Sequence, residues 1–206
     1  MLRSLLSGFA LLLCLPVIAP AQSLEDYDYE NLAFRGIGFE VGQVWPRRSE
    51  RALTYGLRAD LGYLGPNVRI VPGLVFWSST LRQSDLPALG DIEVSDLALN
   101  VDGHYVWDLS GGFTPYAGAG LGIHLFNGEG EAIDGTFVEE LLDVITPGLN
   151  VVGGAELRVA GPFRLFAEAR GVLASPIRSL GLSFGGVWTF PTVPPASRRT
   201  SPEDRG

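Results

Sequence analysis

Two histidines and a scattered set of charges hold the reactive chemistry of this 206-residue chain. An imidazole becomes a useful base or metal ligand when a carboxylate or amide fixes its orientation. If the tight turn at Ser110-Gly111-Gly112 sets the pairing of the segments on either side, His124 falls near Asp96 or Asn100. His104 and His124 show no H-x-x-x-H or similar spacing, so interior, hydrogen-bonded histidines fit better than a metal pair, and no metal or cofactor is expected. The second set is Glu40, Arg58, Asp60, Asp96, Asp102, Glu156, Arg158, Glu168 and Arg170. A tight turn at Ala160-Gly161-Pro162 would make Glu156, Arg158, Arg164 and Glu168 cross-strand neighbours, with Arg170 continuing the row. Such rows either line a polar passage or lock a narrow interior with ion pairs. The Gly-rich runs at 117–122 and 153–154 alternate strictly and no Lys follows them, so they are not phosphate loops.

Period-2 segments must position these groups. From Gly36 onward the chain repeats apolar residues at every second position, the mark of strands with one greasy face. Strand one carries Ile37, Phe39, Val41 and Trp45; strand two, about 52–64, carries Leu53, Tyr55, Leu57, Ala59, Leu61 and Tyr63. Strand three, about 68–81, is apolar on both parities and holds Pro72, so an irregularity is expected there and its phase stays open. Strands four (about 92–109), five (113–127), six (147–159), seven (163–175) and eight (180–190) alternate clearly. All nine charges named above fall on the face opposite the apolar one. Connections alternate between tight turns near 65–67, 110–112 and 160–162 and longer loops near 46–51, 82–91, 128–146 and 175–178. Phe137, Leu141 and Val144 are spaced i, i+4, i+7, which predicts a short helix in the longest loop, with Asp134 or Thr136 able to cap it.

Composition bounds the class. The net charge of −8 offers no basic patch for nucleic acid. Arg3, the apolar run Leu5–Ile18 and Ala19-Pro20-Ala21 read as a secretory signal, residues 1–21, with the mature chain expected to begin at Gln22. The lone Cys14 lies inside that signal, leaving no disulfide or thiolate site. Residues 22–35 read as a polar leader and residues 191–206 as a Pro-rich, charged, disordered tail.

Eight amphipathic strands suit either a soluble lipocalin-like barrel or a membrane barrel turned inside out. Three features favour the membrane. Trp45, Tyr63, Trp107, Trp188 and Phe190 place aromatics near strand ends on the apolar face, as interface girdles do. The polar face is rich in Gly and in both signs of charge, which suits a narrow interior. The polar face of strand eight carries no charge at all, unlike a solvated exterior. The expectation is an all-β, eight-stranded antiparallel up-and-down transmembrane β-barrel over residues 36–190, with a short helix in one extracellular loop. Short turns and both termini would lie in the periplasm.

Two motifs carry a family resemblance. Ser183-Phe184-Gly185-Gly186-Val187-Trp188-Thr189-Phe190 resembles the β-signal of outer-membrane proteins, matching its polar, Gly, aromatic and aromatic positions at Ser183, Gly185, Trp188 and Phe190. Pro115-Tyr116-Ala117-Gly118-Ala119-Gly120-Leu121-Gly122 resembles the P-Y-x-G-x-G-x-G run of small OmpA/OmpX/OmpW-type barrels. One departure is that 16 residues follow Phe190, which in that family usually ends the chain. The resemblance implies a bacterial outer-membrane location, with outer-membrane lipids, lipopolysaccharide and, through the last strand, the assembly machinery as partners. It implies a structural or surface-interaction role with at most limited passage of small solutes. The alternative is a lipid A deacylase or acyltransferase using a barrel histidine. Neither His104-Tyr105-Val106 nor His124-Leu125-Phe126 presents a neighbouring Ser, so a non-enzymatic protein is expected. A soluble lipocalin-like binder ranks third.

Overall fold

The computed structural model describes residues 32–81, 92–107, 109, 111–130, 133–136, 140, 142–175 and 177–190. The expected signal segment 1–21, most of the expected leader, the 82–91 loop and the tail after Phe190 lie outside the described residues. Eight strands run β1 Leu32–Pro46, β2 Ala52–Leu64, β3 Val68–Thr80, β4 Glu93–Val106, β5 Phe113–Glu129, β6 Val144–Ala160, β7 Phe163–Ala174 and β8 Ser179–Thr189. Each pairs antiparallel with its sequence neighbours, and β1 pairs with β8 from Gly36↔Thr189 to Pro46↔Ser179, closing the sheet on itself. Closure leaves no open sheet edge, which is what a sheet in hydrocarbon requires.

Alternation of side chains along every strand decides what the wall separates. Phe39, Leu57, Leu99, Leu121, Val151 and Phe184 stand exposed on the outside, Phe184 to 63%. Glu40, Arg58, Asp60, Asp102, Glu156 and Glu168 are buried inside. This is the inverse of a water-soluble barrel. The apolar exterior needs lipid, because burying it in hydrocarbon is favourable at about 25 cal/mol per Å². The chain is a closed, up-and-down transmembrane barrel.

The connections at 65–67, 107–112 and 161–162 meet on one rim with both ends of the barrel wall, the short-turn rim; those at 47–51, 81–92, 130–143 and 175–178 meet on the other, the long-loop rim, which holds the two longest, 81–92 and 130–143. Gly65 and Gly161 take positive φ, 75° and 50°, in two of these short turns. At the short-turn rim β1 begins four residues earlier than the sequence pattern indicates. The Phe190 amide donates to the Arg35 carbonyl at 2.7 Å, and the Phe34 and Phe190 rings lie 5.4 Å apart. This aromatic pair draws the end of the acidic leader into the wall. At the other rim β6 starts at Val144, where residues up to 146 read as loop, because Val144 and Ile145 pair with Phe126 and Leu125. Of the expected 136–145 helix, residues 137–139 and 141 lie outside the described residues; Glu140 and Leu142 are helical, and 144–145 belong to β6.

The phase of β3, open in the sequence, is settled with Arg69, Val71, Trp77 and Ser79 inward. The irregularity expected near Pro72 lies in the ladder to β2, which changes register between Arg58 and Tyr63; the ladder to β4 runs unbroken, with Pro72 opposite Val101. Gly62 absorbs the bulge at φ 79°, and its amide donates to Asp60 at 2.9 Å.

Candidate functional site

The interior is the place where polar chemistry collects, and it is arranged in layers along the barrel axis. Midway, Arg58 of β2 donates from Nη2 to Glu40 of β1 at 2.6 Å and to Glu168 of β7 at 3.0 Å. Tyr116 donates its hydroxyl to Glu168 at 2.8 Å. Arg170 joins Glu168 at 2.9 Å to Asp102 at 2.7 Å, and Asn150 continues from Asp102 to Asn100. The Arg58 guanidinium lies over the Phe166 ring, 3.9 Å from its centre. Small residues make this possible. A Cβ at Gly56 would come within 2.8 Å of the Glu40 side chain, and one at Gly154 within 2.7 Å of the Tyr116 hydroxyl.

Nearer the short-turn rim a second layer forms. Arg69 makes a two-pronged pair with Glu156, Nη1 to Oε2 at 2.9 Å and Nη2 to Oε1. Arg164 reaches the same Glu156 at 2.9 Å and Asp60 at 3.0 Å. Toward the long-loop rim, His124 Nδ1 meets Asp96 Oδ2 at 2.9 Å, as the 110–112 turn implies. His104 instead stacks flat on Tyr116, ring centres 4.6 Å apart. Among the described residues each buried carboxylate of these layers has a cationic or imidazole partner, so removing one partner would strand a charge.

Above the His124–Asp96 pair the barrel is closed by apolar residues. Val44, Trp77, Val94, Phe126, Ala174 and Ile177 pack together with Ile133, which the long loop sends down into the mouth at 0% exposure. Between this plug and the central network remains a cavity of about 40 Å³, lined in part by Asp96, Asn100, His124 and Arg170. A second void of about 10 Å³ sits by Arg58, Asp60, Arg69 and Glu156. These hold at most a water or two. Neither is a passage, and neither admits an acyl chain.

Eight of the nine charges expected inside are there. Arg158 is the correction: it is exposed at the end of β6. In register it faces Arg164, and two guanidiniums side by side repel. Arg164 takes the interior acids, and Arg158 leaves through the rim where the β6–β7 ladder shifts register. Glu168 accordingly pairs with Arg58 and Arg170 and not across the turn with Arg164. Arg69 was not among the expected charges, because β3 is apolar on both parities and offers no phase. Arg164 was identified only as a neighbour across the turn.

The residues that resemble a β-signal divide between the two faces. Ser183 is buried inside; Trp188 and Phe190 stand outside near the short-turn rim. Gly185 has a packing reason as well: a Cβ there would meet the Phe39 carbonyl and approach the Phe166 ring to 2.5 Å. Its neighbour Gly186, on the outer face, is covered by the Phe163 ring, which a Cβ would also approach to 2.5 Å.

No protein-family model matches the chain, and no curated protein matches it. Solved structures do. Neisserial surface protein A (NspA) superposes with a TM-score of 0.57 at 15% identity, covering 76% of this chain and 97% of that one. Ail, the attachment invasion locus protein of Yersinia pestis, in complex with the heparin analogue sucrose octasulfate, gives 0.49 at 13% identity, with 76% and 97% covered. A de novo designed transmembrane β-barrel gives 0.45 at 15% identity, with 75% and 95% covered. The chain has the fold of the small eight-stranded outer-membrane barrels.

Proposed function

We propose that this protein is an integral outer-membrane barrel of structural or surface-interacting role, closed to solutes, with no catalytic activity. The short turns and both ends of the wall face the periplasm, and the long loops face outward. The single observation that carries this reading is the filled interior. Among the described residues, two layers of paired charge, the His124–Asp96 pair and an apolar plug fill the bore, and the voids found there, about 40 and 10 Å³, are water-sized. A wall so filled holds its loops rigidly at one membrane face and transmits nothing through itself. The His124–Asp96 pair supports no enzymatic role in this reading, because it lies beneath the plug, away from either rim and from lipid.

Cell fractionation tests the proposal. The full chain is expected in the outer-membrane fraction as a band whose electrophoretic mobility changes on heating. An epitope placed after Gly130, in the longest loop, is expected to be labelled on intact cells. A protein soluble without detergent, or an epitope reached only after lysis, contradicts it.

A further inference from the structure

The rim that carries the long loops has a basic corner that the barrel interior does not use. The backbone amide of Arg47, just after β1, donates to the carbonyl of Arg178, just before β8, at 2.9 Å. This bond ties the two connections together and brings Arg47, Arg48 and Arg178 to one cleft of about 300 Å³. All three are exposed, and among the described residues none makes an ion pair. That contrasts with Arg58, Arg69, Arg164 and Arg170 inside, each satisfied by acids.

Directly below, on the lipid side, the wall is grooved. Gly171 of β7 lacks a side chain between Leu173, Leu180 and Val151, and Trp45 stands beside it. With Arg47 and Arg178 at its upper end these residues outline a depression of about 450 Å³. Arg47, Leu173 and Arg178 belong to both spaces, so the apolar groove runs continuously into the basic cleft.

A cluster of guanidiniums recognises phosphate through charge-assisted, forked hydrogen bonds. An apolar depression open to the bilayer gives an acyl chain a surface to lie along. Both features in line, with the cationic end at headgroup level, fit one amphiphile. We propose that this corner is a binding site for a phosphate-bearing lipid of the leaflet at the long-loop rim, its phosphate between Arg47, Arg48 and Arg178 and one chain along Gly171. The proposal rests on the membrane reading above. A soluble polyanion would use the arginines alone and leave the groove without a role.

Native mass spectrometry of the full-length folded barrel, with diphosphorylated lipid A added, reads the site directly. Wild type is expected to keep one lipid adduct through detergent removal and to keep dephosphorylated lipid A about tenfold less. Arg47→Ala/Arg178→Ala is expected to lose the adduct about tenfold, and Arg47→Lys/Arg178→Lys to recover part of it. Gly171→Trp fills the groove while leaving the arginines in place; a Cβ there meets only the Val151 carbonyl, at 3.9 Å. It too is expected to lose the adduct. Retention unchanged in the double Ala variant, or equal for both lipids, overturns the site. So does sucrose octasulfate binding with Gly171→Trp silent, which would assign the arginines to a soluble polyanion. Heat-dependent mobility of each variant is recorded alongside. A barrel that folds and inserts but keeps no adduct defeats the lipid site and leaves the membrane reading intact.

Discussion

Arg58 rests on the face of Phe166, 3.9 Å from guanidinium carbon to ring centre, and from that seat reaches both Glu40 and Glu168. Phe166 can lie there because Gly185 on the neighbouring strand has no side chain to displace it. A residue of the closing strand thus positions the cation at the centre of the barrel, and the seam between β8 and β1 is coupled to the interior network through one aromatic ring.

Removing that cation should be costly. Arg58→Ala leaves Glu40 and Glu168 short of a partner in a site closed to bulk water, a loss of about 3–5 kcal/mol. Arg158→Ala, exposed at the rim, should change stability by no more than about 0.5 kcal/mol. Urea unfolding in phospholipid vesicles measures both; equal effects would mean that the interior assignment is wrong.

The two adjacent glycines of β8 should respond differently to the same change. At Gly185 a new Cβ meets the Phe39 carbonyl, a backbone atom held by the ladder. At Gly186 it meets only the ring of Phe163, which can swing into lipid. Gly185→Ala is expected to cost about 1–3 kcal/mol and to lower the folded fraction, with Gly186→Ala milder. The fraction of heat-modifiable protein in isolated membranes checks the order.

Depth in the bilayer should grade the cost of charge on the outer wall. Phe39, 58% exposed, faces lipid midway along β1. Phe39→Arg should destabilise by about 2–4 kcal/mol, and Phe34→Arg at the rim by about 1 kcal/mol or less, apart from the lost contact with Phe190. Unfolding equilibria of the two variants against wild type give the comparison. Equal costs would contradict the membrane placement of this face.

His104 and His124 are interior packing groups in this account. His104→Ala/His124→Ala should leave the number of acyl chains on lipid A unchanged relative to cells expressing wild type, and expression of wild type should itself change nothing. Mass spectrometry of extracted lipid A reads this. A histidine-dependent loss or gain of an acyl chain would restore the enzymatic alternative.

Much of this wall was legible in the sequence because lipid and a narrow interior make opposite demands at alternate residues. Phe39 against Glu40, Leu57 against Arg58 and Leu157 against Glu156 announce their faces by type alone. The signal weakens where the interior stops being polar. Trp77 and Phe126 point inward to build the plug, so near the long-loop rim both faces are apolar and parity says little. The same ambiguity along β3 concealed Arg69. Arg158 misled for the opposite reason: its parity is right, but a strand end lets a side chain escape to water. The plug could not be read at all, since Ile133 comes from a loop, and nothing in the sequence around it indicates that its side chain packs into the barrel mouth. The extra residues of β1 were hidden too, because Phe34 finds its partner Phe190 on the far end of the chain.

On the reading proposed above, the barrel is a filled, closed cylinder. Recording in planar bilayers after insertion of the purified full chain tests it most directly. No stepwise conductance is expected from the wild type at either polarity, and none from Ile133→Gly, because the Arg58 and Arg69 layers still close the bore beneath the plug. Discrete, reproducible conductance steps from the wild type would contradict it.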